Sequence, residues 1–397
     1  MLKFVYFFFY IMLNLYIIIR TLRWFKSCHD AFDLKRFKVP YVITMSLMAS
    51  LVIVAFYLQE NGEYHWLLRF SSQWFGVLFY IIFYVAVADL VWLLLKIIKK
   101  RPKGHVVKSR FAFMAGMVVV VMIAATSIYG LIHVRNMKTT NYEIIINKQV
   151  EGHDSLRIAM VADHHLGYTI GAKDMERMAA KINEANPDIV CFVGDIFDNN
   201  FNALDDEQRI WEALASIKST YGVYACWGNH DVEEPLFSGF SVDSKSKAIR
   251  DPRMEEFLTS AGIQLLTDES ILVKDKFYVM GRLDYQKAGD GSNHRKTIEE
   301  MMVGVDKNKP VILLDHQPRE LQRVAEAGVD LDFSGHTHGG QLFPMTLTNG
   351  ITWENGYGLL QKEQMYSIVT SGVGVYGPAM RVFTDSEVVI VDITFEK

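Results

Sequence analysis

The chain has 397 residues, half of them hydrophobic and 13% aromatic, with a formal net charge of −4. The charge is partitioned: residues 1–134 hold 15 Lys+Arg against 5 Asp+Glu, and the remainder holds 26 against 40. Two portions of opposite sign point to two environments, and the acidic portion has no cluster of Lys and Arg of the kind a nucleic-acid backbone requires, which excludes nucleic acid as its partner.

Four apolar stretches come first, at residues 4–19, 39–58, 74–98 and 111–134. A helix needs about 20 apolar residues to cross a bilayer. The last three reach that length; the first is shorter and is interrupted by Asn14. It is preceded by Lys3 alone and followed by no small-residue cleavage site, so it reads as a retained helix rather than a signal peptide. Residues 1–134 are therefore expected to form a multi-pass, all-α region with about four transmembrane helices. Its first connection carries Arg20, Arg23, Lys26, Lys35, Arg36 and Lys38. Its third carries Lys99, Lys100, Arg101, Lys103, Lys108 and Arg110. The second holds only Arg69, with Glu60 and Glu63. Basic connections stay in the cytoplasm. Both termini then lie outside an inner or plasma membrane, and the C-terminal domain faces the periplasm or exterior. Asp89, inside the third stretch, is either a functional intramembrane carboxylate or else a helix–helix hydrogen bond or a carboxylate near the interface; the latter reading is favoured.

Residues 135–154 read as a linker and first strand, and 155–397 as one domain. Apolar runs at 156–162, 189–193, 223–227, 277–281, 311–314, 331–334, 367–370 and 388–393 suggest strands. They interleave with helical patterns at 172–185, 205–217, 254–261, 296–302 and 318–327, the mark of an α/β (α+β) fold. The polar loops 232–250 and 284–294 are expected at the rim of a site. Cys28, Cys191 and Cys226 lack metal-ligand spacing and read as small apolar filler.

The chemistry lies where the strands end. Asp163-His164-His165 follows the first run, Gly194-Asp195-Ile196-Phe197-Asp198 the second, and Gly228-Asn229-His230-Asp231 the third. Asp315-His316-Gln317-Pro318 and Gly335-His336-Thr337-His338-Gly339-Gly340-Gln341 follow two later ones. Ligands of α/β sheets gather beyond the carboxyl ends of strands. Carboxylates, imidazoles and an amide converging there suit two divalent ions, about 3.5–4 Å apart, sharing a carboxylate. The candidate ligands are Asp163, His165, Asp195, Asn229, His316, His336 and His338. No Gly-rich phosphate loop or nucleotide fingerprint appears, so no nucleotide cofactor is expected.

These five motifs, in this order over residues 155–394, resemble the calcineurin-like metallophosphoesterases, and the Gly335–Gln341 version resembles their membrane-associated bacterial branch. The resemblance implies a four-layer sandwich of two mixed β-sheets flanked by helices. It implies that Asp163, His165 and His338 hold one ion, that Asn229, His316 and His336 hold the other, and that Asp195 bridges them. It further implies that His230 contacts the phosphoryl oxygens and leaving group alongside Asn229, and that Asp198 orients His230. The implied activity is hydrolysis of a phosphate mono- or diester with two divalent ions (Mn favoured over Fe or Zn) and a substrate that is soluble or lipid-linked. One alternative is a lipid-processing pyrophosphatase similar to UDP-2,3-diacylglucosamine hydrolase. Another, of a different class, is a catalytically silent membrane scaffold or phospho-ligand sensor. Six residues are weighed beside these. His164 reads as solvated or outside the ligand set, and Asp231 and Gln341 as supports of the ligands. Arg381 reads as a phosphate contact or, failing that, as a brace for its loop. His294 and Arg295 lie close to the expected rim.

Overall fold

The computed structural model describes residues 2–59, 64–98, 110–237, 240–241, 248–292 and 294–396. Four long helices come first: α1 (Leu2–Cys28), α2 (Lys35–Leu58), α3 (His65–Ile98) and α4 (Arg110–His133). All four are long and apolar enough to cross a membrane. Two polar side chains inside them are accommodated locally. Asn14 is buried and its amide donates to the Tyr10 carbonyl at 2.8 Å, which keeps the helix continuous. Asp89 accepts from Arg20 Nε at 2.9 Å and from the Tyr16 hydroxyl at 2.7 Å, so it joins α3 to α1 as the helix-contact reading expected. Glu60, Glu63 and the basic residues at 99, 100, 101, 103 and 108 lie outside the described residues.

Helix α3 starts nine residues before the apolar stretch expected at 74–98. Its added turns are held by tertiary contacts rather than by hydropathy. Arg69 Nε donates to the Tyr168 carbonyl at 2.5 Å, and the Ser72 hydroxyl donates to the Gly377 carbonyl at 2.7 Å.

The rest of the chain builds two sheets. In chain order the strands are β1 (Met137–Ile146), β2 (Ser155–Val161), β3 (Ile189–Val193), β4 (Val223–Cys226), the short hairpin β5 (Leu236–Phe237) and β6 (Phe240–Ser241), β7 (Ile263–Leu265), β8 (Glu269–Val273), β9 (Phe277–Gly281), β10 (Val311–Leu314), β11 (Leu331–Ser334), β12 (Gly358–Lys362), β13 (Met365–Val369) and β14 (Ser386–Phe395). Between them lie α5 (Ala172–Ala185), α6 (Glu207–Ala215), α7 (Pro252–Ser260), α8 (Ile298–Met301), α9 (Leu321–Ala327) and α10 (Met345–Thr352). The first sheet has the order β1-β14-β2-β3-β4-β7 and the second β12-β13-β11-β10-β9-β8. Each is mixed. β2, β3, β4 and β7 run parallel, with β14 antiparallel to β2; β13, β11, β10 and β9 run parallel, with β12 and β8 antiparallel at the edges.

Side-chain alternation along the strands divides the apolar residues between two faces. Ile158, Met160, Ile312 and Leu314 point into the core between the sheets. Ala159, Val161, Val190 and Phe192 point outward, under α5, α6 and α7. Val311 and Leu313 point the opposite way, under α8 and α9. Helix α5 shows why the covering helices form: Met175, Met178, Ala179 and Ile182 recur at helical spacing and are buried, and Asn186 ends the helix in the left-handed conformation. The result is helix, sheet, sheet, helix. It leaves the carboxyl ends of β2, β3, β4, β10 and β11 together at one edge.

Candidate metal centre

At that edge the chain turns sharply. Asp163, His165, Asp195, His336 and His338 all adopt positive φ, between 49° and 69°. Non-glycine residues rarely do so, and five in one place amount to local strain that the surrounding fold must hold. The strain serves convergence, since each turn aims its side chain back across the strand ends.

Two separate clusters of donor atoms result, and a third group, His165, Asp198 and His230, shares His165 with the first. Asp163, His165 and His338 each bring one ligand atom within 4.8 Å of the others, and so do Asp195, His316 and His336. His165 Nε2 and His338 Nε2 face each other at 3.1 Å, and His338 Nε2 lies 3.6 Å from Asp163 Oδ1. Asp195 stands between the clusters: its Oδ2 is 3.0 Å from His316 Nε2 and 3.8 Å from His165 Nε2. Its other oxygen accepts the His230 backbone N–H at 2.7 Å. Asn229 is buried, and its Oδ1 has no hydrogen-bond partner. A buried amide oxygen without a partner is costly, and a cation beside it would remove that cost. Imidazoles, carboxylates and one amide oxygen are a donor set that divalent ions accept.

Several of the ligand candidates are held from behind. His316 Nδ1 donates to the Val193 carbonyl at 2.9 Å, which leaves Nε2 as the ring's free nitrogen. Both Asp163 oxygens accept the His336 N–H, at 2.9 and 3.0 Å. Asp231 accepts from the N–H of Phe197 at 2.8 Å and of Gly228 at 2.7 Å, tying two of the turns together. Burial, reinforced by the charge of Asp195, pushes its carboxyl up to about 7. Two glycines make room. A Cβ at Gly335 would stand 2.5 Å from Asp163 Oδ2, and one at Gly228 would strike Asp195. The central carboxylates are biased in opposite directions. Burial raises Asp163 to about 6 against the pull of His316. At Asp195 the imidazoles of His316 and His230 more than reverse the effect of burial and hold the group well below the usual range.

His230 packs against this group, its ring 4.9 Å from that of His165. Its Nδ1 is hydrogen-bonded to Asn199 Oδ1. Asp198, the residue expected to orient it, lies farther off, with Oδ1 3.8 Å from His230 Nδ1 and 3.3 Å from His165 Nδ1. Sequence reasoning missed Asn199, although it directly follows Asp198. It also missed Tyr376, whose ring lies 4.9 Å from His230 and 5.9 Å from His165. No motif marks Tyr376, because a loop distant in sequence brings it to the site. Gln341 holds that loop through Tyr376 N–H, at 2.9 Å, and the carbonyls of Tyr376 and Pro378.

Four outer residues are placed as follows. Arg381 is fully buried and turns Nη1 and Nη2 to the carbonyls of His338, Ser371, Gly372 and Gly374, so it braces the loop, while its buried Nε has no hydrogen-bond partner. His164 is not solvated: it is fully buried and stacks on Phe192, with centroids 4.9 Å apart, and burial together with His165 lowers it to about 3. Arg295 pairs with Asp315 at 2.9 Å and Glu320 at 3.1 Å, away from the clusters. His294 is exposed.

The segments that follow the site run into the four N-terminal helices. Phe237 is buried among Tyr10, Ile17, Val52, Phe56 and Leu78. Leu236 N–H donates to Gln59 Oε1 at 3.0 Å. On the other side Met380 and Val382 pack with Tyr80, and Arg381 N–H donates to the Gly130 carbonyl at 3.2 Å.

Residues 156–340 match the calcineurin-like phosphoesterase family. The chain is 27% identical over 366 residues to a transmembrane protein with metallophosphoesterase domain from Danio rerio, across 88% of this chain and 79% of that one. It is 31% identical over 261 residues to an uncharacterized metallophosphoesterase of Aquifex aeolicus, across 65% of this chain and 92% of that one. It is 24% identical over 238 residues to the UDP-2,3-diacylglucosamine pyrophosphatase of Chlamydia trachomatis, across 50% of this chain and 69% of that one.

Proposed function

The chain belongs to the calcineurin-like phosphoesterase family, and from that premise we propose that it hydrolyses a phosphate mono- or diester with two divalent ions, on a domain anchored by its N-terminal helices. The observation that carries this reading is Asp195, whose Oδ2 lies within 4 Å of one histidine from each donor cluster. In this reading Asp163, His165 and His338 hold one ion, Asn229, His316 and His336 hold the other, and Asp195 belongs to both. Bound ions of this kind supply positive charge to the phosphoryl oxygens and activate water for in-line attack. Mn is favoured, with Fe and Zn open to the same mixed donors.

The chain's own residues do the rest. His230 reaches the phosphoryl oxygens; Asn199 holds its Nδ1 proton, so the proton that passes from Nε2 to the leaving oxygen is one the ring first takes up from water at the centre. Asp198 accepts from His165 Nδ1 and sets that ring's direction. Tyr376 and the buried histidines limit water at the centre. Residues 1–134 serve as a multi-pass membrane unit, 135–154 as the connection and 155–397 as the catalytic domain. The loop charges support placing that domain in the periplasm or outside the cell.

The test is hydrolysis of mono- and bis-nitrophenyl phosphates by purified protein with Mn²⁺, with metal analysis of the same sample. Two ions per chain and turnover are expected. Absence of turnover on either ester would favour a silent scaffold or phospho-ligand sensor. A second reading, a lipid-linked pyrophosphate substrate, is favoured by the docking of Leu236–Phe237 and of residues 376–382 on the apolar helices, and by the activity named for the Chlamydia trachomatis relative. A C-terminal fusion separates the two: a reporter active only in the cytoplasm would overturn the outward placement and favour the lipid pyrophosphate.

A further inference from the structure

Helix α10 has no obvious reason to be where it is. Its eight residues, Met-Thr-Leu-Thr-Asn-Gly-Ile-Thr, carry no charge, and not one of them is buried. Leu347 is 67% exposed, Ile351 84%, and Phe383 beside the helix 72%. A single exposed apolar side chain is ordinary. A charge-free helix displaying several of them is not, unless something apolar lies against it.

Its position says what that is. Phe343, two residues before α10, packs edge-on against Phe83 of α3, and its ring also meets Phe383 at 5.4 Å. From Phe83 to the end of α3 at Ile98 the helix rises only about 23 Å, short of the roughly 30 Å of a hydrocarbon layer. The layer that α3 crosses must therefore extend back past Phe83. Helix α4 gives the same level independently. From Arg110 to Gly130 it rises about 30 Å, and Gly130 is where Val382 packs, a Cβ there standing 3.0 Å from Val382 Cγ2. Phe343 thus meets the bundle just inside the hydrocarbon and Val382 at its border, and α10 and Phe383 leave from those two points.

We propose that α10 and Phe383 form a membrane-contact element, with Leu347, Ile351 and Phe383 set into the acyl–headgroup boundary of the leaflet on the domain's side and covered by phospholipid. The proposal rests on the reading that the bundle crosses a membrane. It extends the apolar surface of α3 and α4 onto the catalytic domain, and such an interfacial helix needs only one apolar face and no partner protein. It also reaches the site. Three residues separate α10 from the Gly335–Gln341 segment, and the next residue after the helix, Trp353, sets its ring edge-on to His336 at 5.2 Å. A cavity of about 500 Å³ lined by Gly339, Thr346, Asn349, Tyr357, Phe383 and Asp385 lies alongside. One flank of the candidate metal centre is thereby held at headgroup level.

The experiment uses the full chain with Cys28→Ser, reconstituted into phosphatidylcholine vesicles. A nitrobenzoxadiazole label is attached in turn at Ile351→Cys, Leu347→Cys, Val303→Cys and Trp92→Cys. Val303 is an exposed position in the turn after α8, and Trp92 is an exposed position of α3. Labels at 351 and 347 are expected to be quenched by spin-labelled lipid and to be several-fold less quenched by iodide than the label at 303. If the label at 92 meets lipid while those at 351 and 347 match 303, the proposal falls and the anchor stands. If 351 and 347 are shielded from iodide but not quenched by lipid, a protein surface covers α10, and the proposal also falls. If 92 meets no lipid, the anchor reading fails and takes the proposal with it.

Discussion

Asn199 Oδ1 meets His230 Nδ1 at the edge of the candidate metal centre, and the Asn199 amide nitrogen donates to the Val232 carbonyl at 3.1 Å. The two residues are tied again through the main chain, Asn199 N–H donating to the His230 carbonyl at 3.0 Å. The side-chain amide is thereby oriented with its oxygen toward the imidazole, which places the ring's proton on Nδ1 and leaves Nε2 facing the centre.

This pairing makes Asn199 a positioning residue whose loss should be felt in turnover. Asn199→Leu removes the acceptor and leaves a buried N–H without a partner, which costs about 1–3 kcal/mol. A fall in kcat of about 10- to 100-fold is expected, with KM and bound metal little changed. Asn199→Asp restores an acceptor and should recover much of the loss. Equal damage from both variants, or loss of metal, would mean that Asn199 only supports the fold.

The second prediction separates the ions from the acid. Asp195→Asn removes the charge between the two donor clusters and should abolish most turnover together with metal binding. Gly335→Ala should do nearly the same by pressing on the Asp163 carboxylate. His230→Ala should lower kcat by about 10²–10⁴-fold with metal retained. Metal analysis by plasma mass spectrometry beside the kinetics distinguishes the cases, and metal loss in the His230 variant would contradict its proposed role.

The strand ends that carry the donors were legible because the relevant signals are local. A short apolar run, a turn glycine and a residue of distinctive chemistry stand side by side at Val193-Gly194-Asp195 and again at Ser334-Gly335-His336. The four long apolar helices were legible for the same reason. What escaped was set by distant contacts. The first turns of α3 mix apolar and polar residues, and Arg69 and Ser72 tie them to other parts of the chain. The edge strands β8 and β12 are half-exposed, so their apolar signal is weak. Asp198 and Asn199 are neighbours in sequence, yet the turn between them aims one at His165 and the other at His230. Only the folded turn reveals which.

The third prediction concerns pH. Asp332 is buried on β11, where burial and the neighbouring charge of Asp315 push its carboxyl up to about 8. Its one hydrogen bond, from the Ser367 hydroxyl at 3.0 Å, does not offset this. Below about pH 4 the group is protonated in both folded and unfolded chains. Between about 4 and 8 only the unfolded chain ionises it, so stability is lost as pH rises through that window and levels off above it. The melting temperature in detergent should therefore fall by several degrees from pH 5 to pH 8, and Asp332→Asn should shrink that fall. Asp163 and Asp231 remain elevated in the variant, so some slope persists. An unchanged slope would show that Asp332 is ionised in the folded protein.

The last prediction tests whether the N-terminal helices and the catalytic domain act as one unit. Phe237 lies seven residues beyond His230, and its ring contacts Phe7 at 5.1 Å, Tyr10 at 5.5 Å and Phe56 at 5.9 Å. It is buried there, while the preceding N–H is fixed by Gln59, whose carbonyl in turn accepts from the Tyr168 hydroxyl at 2.7 Å. Truncating a buried Phe costs about 3–5 kcal/mol. Phe237→Ala should lower the thermal midpoint of the whole chain and reduce turnover, because the segment leading back to Asn229 and His230 loses its far anchor. Phe237→Leu should recover most of both. Bound metal should stay near normal, since no ligand candidate lies on the hairpin. A variant that melts and turns over like the parent would show that the hairpin rests on the helices without restraining the site.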